Sequence, residues 1–188
     1  EIKTDPWLLY HIAENVDNQI DLLYAAPMLD QTKMAVNERL EFTFKHALAC
    51  VGDKVNVSTS STGSGFTLKL KDVRIDYTLT AKGRLVLWNR GSANWSPVMS
   101  EDVLTTRSVT LLQNGNETLP WTKTGKGVFC IPSEADGYPQ KASIHVTYIV
   151  DYEDPSATDE ERTASSDLLL KGRIREGETL DINISLTY

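Results

Sequence analysis

Basic charge is the first thing this sequence is short of: 19 Lys and Arg face 26 Asp and Glu, leaving a net charge of −7 over 188 residues. Nucleic-acid binding draws on Lys and Arg to neutralise phosphates, and that driving force is absent. The basic residues are scattered (Lys69, Lys71, Arg74; Lys123, Lys126; Arg173, Arg175) and form no stripe with aromatics between them. Long apolar runs are missing too, and none approaches the roughly 20 residues a helix needs to cross a bilayer. Glu1 stands where an initiator Met would, so the expectation is a mature form or a domain cut from a longer chain. Histidine is scarce: His11, His46 and His145 lie too far apart in sequence to suggest a zinc site. No Gly-x-Ser-x-Gly elbow occurs, and Gly63-Ser-Gly65 lacks the Lys-Ser/Thr ending of a phosphate loop. Nothing argues for an enzyme, a cofactor or a metal.

Cysteine is nearly absent as well. Cys50 and Cys130 match no metal spacing, and both sit in apolar, strand-like runs. Two readings stand: a pair of buried small hydrophobes, or a disulfide closing a long loop. Either way the pair is structural.

What is present is period-two alternation broken by turns. Leu40-Glu-Phe42-Thr-Phe44-Lys-His46-Ala-Leu48 places its apolar residues and His46 on one face, the pattern of a half-buried strand with a core histidine. Leu68 and Leu70 alternate, then Val73, Ile75, Tyr77 and Leu79. Leu85 to Trp88, Ser108 to Leu112 and Gly127 to Ile131 read as further short strands, with Trp88 in the core. The cleanest alternations are Ala142 to Val150 and Leu180-Asp-Ile182-Asn-Ile184-Ser-Leu186. Turn-forming stretches such as 58–65, Ala81-Lys-Gly83 and Asn114-Gly-Asn116 lie between them. The fold class is therefore all-β, a sandwich or barrel, with little helix and an ambiguous region only at 28–37. The acidic run from Asp151 to Glu161 lacks the oxygen spacing of a calcium loop and reads as a solvated connection.

The aromatics leave one choice open. Trp95 and Trp121 lie in polar, turn-rich stretches, either as anchors covering the core or as an exposed platform for a sugar. Residues 1–26 hold two apolar runs, Trp7 to Ile12 and Ile20 to Tyr24, expected to join a preceding domain to a β-sandwich domain at 27–188.

Several segments together resemble the fimbrillin family, whose members build or decorate Bacteroidales-type fimbriae. Asp21-Leu-Leu-Tyr-Ala25 followed by Leu40 to Leu48, with its Phe44-Lys-His-Ala-Leu48, resembles the linker into the family's second domain and its first strand. Val128-Phe-Cys-Ile-Pro132 is similar to the family's strand ending in Ile-Pro, and His145-Val-Thr-Tyr148 precedes a polar loop and a final alternating strand. The resemblance implies transthyretin-like, Greek-key β-sandwiches of about seven or more strands, exported as outer-membrane lipoproteins. It implies a structural or accessory subunit (stalk, tip or anchor) at the cell surface, acting in assembly and adhesion, with other fimbrial subunits as partners by strand complementation. It carries over no catalytic residue. The candidate assembly strands are Leu180, Ile182, Ile184 and Leu186, with Leu22 and Tyr24 at the other end. The alternative is a carbohydrate-binding surface lipoprotein module using Trp95 and Trp121 on a host or bacterial glycan.

Overall fold

The computed structural model describes residues 7–25, 39–60, 65–87, 93–97, 104–132, 140–170 and 172–188. Strand takes 65% of them, and the one helical element among them is a 3-10 turn, Val16–Asn18. In chain order the first strands are β1 (Trp7–His11), β2 (Leu23–Ala25), β3 (Phe44–His46), β4 (Ala49–Thr59), β5 (Phe66–Thr80), β6 (Lys82–Leu87) and β7 (Ala93–Pro97). They are followed by β8 (Leu104–Leu112), β9 (Glu117–Thr118), β10 (Trp121–Thr124), β11 (Val128–Cys130), β12 (Lys141–Tyr152), β13 (Glu160–Leu169) and β14 (Thr179–Leu186).

Two sheets share the main core. One runs β13-β12-β5-β8, with β9 also on β5; all its pairings are antiparallel. The other is built on β4, where β10 and β11 pair successive stretches. β14 pairs both stretches in parallel, and so occupies the opposite side of β4. The alternating residues of β5 and β12 turn one way and bury Leu68, Leu70, Val73, Ile75, Tyr77 and Leu79 with Ala142, Ile144, Val146, Tyr148 and Val150. Val51, Val55 and Val57 of β4, Val128 and Cys130 of β11, and Ile182 and Leu186 of β14 meet them from the other sheet. The sandwich expected from the alternation is there.

The apolar phase of β5 is even at Leu70 and odd from Val73. A bulge absorbs the change: Tyr148 pairs with Leu70 and Thr147 with Asp72, leaving Lys71 as the extra residue. The two apolar runs are thus one strand of 15 residues. At its end the chain passes through Ala81 directly into β6, so Ala81-Lys-Gly83 is a corner between sheets and not a turn. The buried Gln140 side chain holds that corner: its Oε1 accepts from Thr80 N at 2.8 Å and its Nε2 donates to Ile131 O at 3.4 Å.

β6 is the centre of a third sheet, β1-β6-β7. Residues 7–25 contribute β1 to it, send Ile12 into a cluster with Leu48, Ala81 and Ile131, and pair β2 with β3. One expectation fails here. Of the alternation from Leu40 to Leu48 only Phe44–His46 is strand, and Leu40, Phe42, Phe44 and His46 are exposed while Leu48 is buried. The strand is one half of a two-stranded ribbon, and the core lies on its Tyr24 and Ala47 side. Trp88 and the segment 28–37 lie outside the described residues.

A second bulge sits in β4, where residues 52–54 lie opposite Asp181 between the pairs Leu180–Val51 and Ile182–Val55. Gly52 makes it possible with φ at +75°, and the Tyr77 hydroxyl fills the space a side chain would need, 2.1 Å from an added Cβ. That hydroxyl is buried without a hydrogen-bond partner. Gly52→Ala should therefore destabilise by about 2–3 kcal/mol and lower Tm by about 4–12 °C. Tyr77→Phe removes an unsatisfied group and should stay within about 1 kcal/mol of the native chain. In thermal melts the double variant should recover part of the Gly52→Ala loss.

Candidate functional site

β14 is the edge of its sheet among the described residues. Its alternation puts Ile182 and Leu186 into the core and leaves Leu180 and Ile184 half-buried. Side chains fasten it to β4: Asn56 Nδ2 donates to Asn183 Oδ1 at 2.8 Å, Ser58 Oγ to Ile184 O at 3.3 Å, and Thr59 Oγ1 to Leu186 O at 3.1 Å. Tyr188 then crosses to the other sheet. Its hydroxyl lies 2.7 Å from that of Tyr152, its ring meets Phe66 edge-on at 4.9 Å, and the Arg162 guanidinium stacks over it at 4.7 Å. The Tyr188 contact, with burial and the nearby Glu160 adding to it, pushes the Tyr152 phenol up to about 12.

Arg162 belongs to β13, the outer strand of the five-stranded sheet. The positions of β13 that pair with Val150, Tyr148, Val146 and Ile144 are Glu160, Arg162, Ala164 and Ser166, and all four are exposed. No alternation marks this strand, which is why the sequence reading assigns no strand here and takes its first two residues, Glu160 and Glu161, into the acidic connection, whose ends the structure gives to β12 and β13. Among the described residues β13 and β14 each have one unpaired edge, and the Arg162–Tyr188 contact brings the end of the chain beyond β14 to β13. One edge is charged and the other apolar on its inner side.

Leu22 and Tyr24 are clamped onto the domain. Leu22 is half-buried and its carbonyl accepts from Ala47 N at 2.7 Å. Tyr24 is buried, and its hydroxyl donates to Glu176, two residues before the backbone of Glu178 accepts from Cys50 N at 3.0 Å. The two groups of candidate assembly residues are therefore tied together at the entry to β14.

Trp95 and Trp121 are not brought together. Trp95, on β7, packs against the two smaller clusters and donates Nε1 to Ala47 O at 2.8 Å. Trp121, on β10, pairs with Val57 and packs on the main core. Both act as anchors on different sheets, so the shared aromatic platform is not formed.

The possible bridge between Cys50 and Cys130 is not formed either, and both thiols are free. Their strands are neighbours, but Cys50 pairs with Phe129 and Cys130 with Ala49, so the one-residue offset sends the thiols to opposite faces. Burial, then the charges of Asp53, Asp21 and Asp181, pushes the Cys50 thiol up to about 11. Burial raises Cys130 further, and neither is a ready nucleophile. The motif histidine is not in the core: His46 is exposed and its Nδ1 lies against the Asp21 carboxylate. The polar ribbon edge, not apolar packing, holds it. Among the described residues no three His, Cys, Asp or Glu side chains gather into a metal-binding group.

No family model matches the chain, and no curated protein does. Among solved structures it is similar to a fimbrial protein from Bacteroides vulgatus ATCC 8482, with a TM-score of 0.65 and 16% sequence identity. The match covers 97% of this chain and 64% of that one, so the chain spans less than two thirds of the length of that protein. The chain has the fold of a fimbrial protein.

The Tyr188 contacts make one prediction. Tyr188→Ala removes a hydroxyl contact, an edge-on ring and a stacked guanidinium, together worth about 1–2 kcal/mol. Hydrogen exchange should quicken at the amides of β14 before the rest of the sandwich responds, and uniform loss of protection across both sheets would contradict it.

Proposed function

We propose that the chain is the greater part of a fimbrillin-like subunit, exported to the cell surface, that joins other subunits by strand complementation. The observation that supports this most directly is the state of β14. It is a short apolar strand with one parallel ladder partner among the described residues, an open outer edge, and half-buried Leu180 and Ile184 at its rim. An open edge presents backbone groups in the spacing an incoming strand needs, while alternate side chains supply the fit. The fold likeness to a fimbrial protein points the same way.

In this reading residues 7–25 keep the first strands on the body of the subunit, and the Tyr24–Glu176 contact fixes the entry to β14. The open edge of β14 receives the neighbour's strand. Stalk, tip and anchor subunits would all use it. The charge of −7 makes chance association of copies unfavourable, so joining depends on the ladder and its pockets. A glycan platform has less support, since Trp95 and Trp121 pack on separate clusters.

The test is a non-boiled SDS gel of the native producer's surface fraction, blotted for this protein. A ladder of high-mass species that collapses on boiling is the expected result. Exchanging Ile184 for Asp should shorten the ladder while the purified chain loses less than about 2 kcal/mol of stability, because Ile184 is only half-buried. A single monomer band from the native strain would overturn the reading.

A further inference from the structure

Away from β14, a pocket of about 430 Å³ lies between β8 and the turn that follows β1. It is lined by Glu14, Asp17, Arg107 and Lys126 among others. Arg107 is the unusual member. The alternation of β8 turns it inward with Val109 and Leu111, and it is only 4% exposed. Its Nη2 donates to Ile12 O at 3.2 Å, while Nε and Nη1 are buried with no hydrogen-bond partner. A guanidinium cannot shed its charge at ordinary pH, so these unpaired donors cost more than any neutral group would. The nearby Glu14 charge offsets only part of the burial cost and no hydrogen bond from it reaches Nε or Nη1, while Asp17 is occupied by Lys126 at 3.4 Å.

We propose that this pocket binds a small monocarboxylic acid, whose carboxylate accepts from the N–H groups of Arg107 that the chain leaves unpartnered. A single negative charge suits the lining, in which two cations already face two carboxylates and a dianion such as phosphate would meet Glu14 and Asp17. The volume lies in the range of small-molecule sites and admits more than the carboxylate itself. The pocket is open to solvent, with the turn carrying Glu14 and Asp17 along its rim. Among the described residues that turn makes one ion pair, Asp17 to Lys126 in the connection between β10 and β11, an exposed contact of the weak kind. The site is independent of strand joining and stands or falls separately from it.

Acetate is the probe. Sodium acetate is titrated against the purified chain at constant ionic strength made up with chloride, and the Arg107 Nε–H signal is followed by nitrogen-edited NMR. The expected result is a saturable shift of that signal, and a Tm rise of about 3–6 °C at ten times the midpoint concentration. Phosphate at the same ionic strength should do less. In Arg107→Met the Tm rise should vanish; a long apolar side chain at a buried charged position commonly leaves a fold intact. An Nε–H signal that acetate does not move overturns the proposal whether or not that variant folds. So does a Tm rise of equal size in Arg107→Met, or a larger response to phosphate.

Discussion

The antiparallel pairing of β5 with β12 is the constraint on which the rest depends. It runs from Thr78 beside Lys141 to Phe66 beside Tyr152, and both strands place an unbroken apolar face on the core. Every other part is positioned by it. β8 and β9 extend the sheet from β5, and β13 extends it from β12. The strand then continues past Ala81 into β6 and so sets the third sheet too. A ladder of this length fixes register strongly, because a slip of one residue in β12 would turn Val146 to water and His145 inward.

That strength explains what could be read from the sequence. β12 and β14 alternate cleanly because each has one face on the core, and β5 is legible as two runs because its bulge changes the phase between Leu70 and Val73. β13 could not be read. The positions opposite the apolar face of β12 carry Glu160, Arg162, Ala164 and Ser166, all exposed, before Leu168 reaches the core, so backbone pairing and polar side-chain contacts with β12 and β5 make most of it a strand, contributions invisible to hydrophobic periodicity. The opposite error occurs at Leu40, Phe42 and Phe44, where alternation is present but the face is exposed. Periodicity reports that residues share a face; it does not report what lies against that face. Arg107 escaped for a related reason, since a cation within an alternating strand gives no sign of which phase it occupies.

The outer edges of β13 and β14 are handled differently. Charge along β13, with Glu160, Glu161, Arg162 and Asp167, makes it a poor template for a second copy, a common way to protect a sheet edge. β14 has no such run: Asp181 is its one charged residue, and Leu180 and Ile184 remain half-buried. Among the described residues β1, β7, β8, β10 and β11 also have an unpaired side, so the contrast between β13 and β14 is one of charge along two neighbouring edges.

The shape of that edge is set from inside the core. Ile182 can lie opposite Val55 because β4 bulges at residues 52–54, and the bulge needs the positive φ of Gly52. The Tyr77 hydroxyl occupies the space beneath Gly52, and Ile182 Cδ1 closes it from the side, 3.3 Å from where a Cβ would stand. An unsatisfied buried hydroxyl on β5, the strand that organises the fold, is thus the wedge that fits the register of β14. Phenylalanine there would remove the polar penalty but also the atom that fills the bulge. Stability and the placement of the edge are therefore set by the same atom, and they need not favour the same residue.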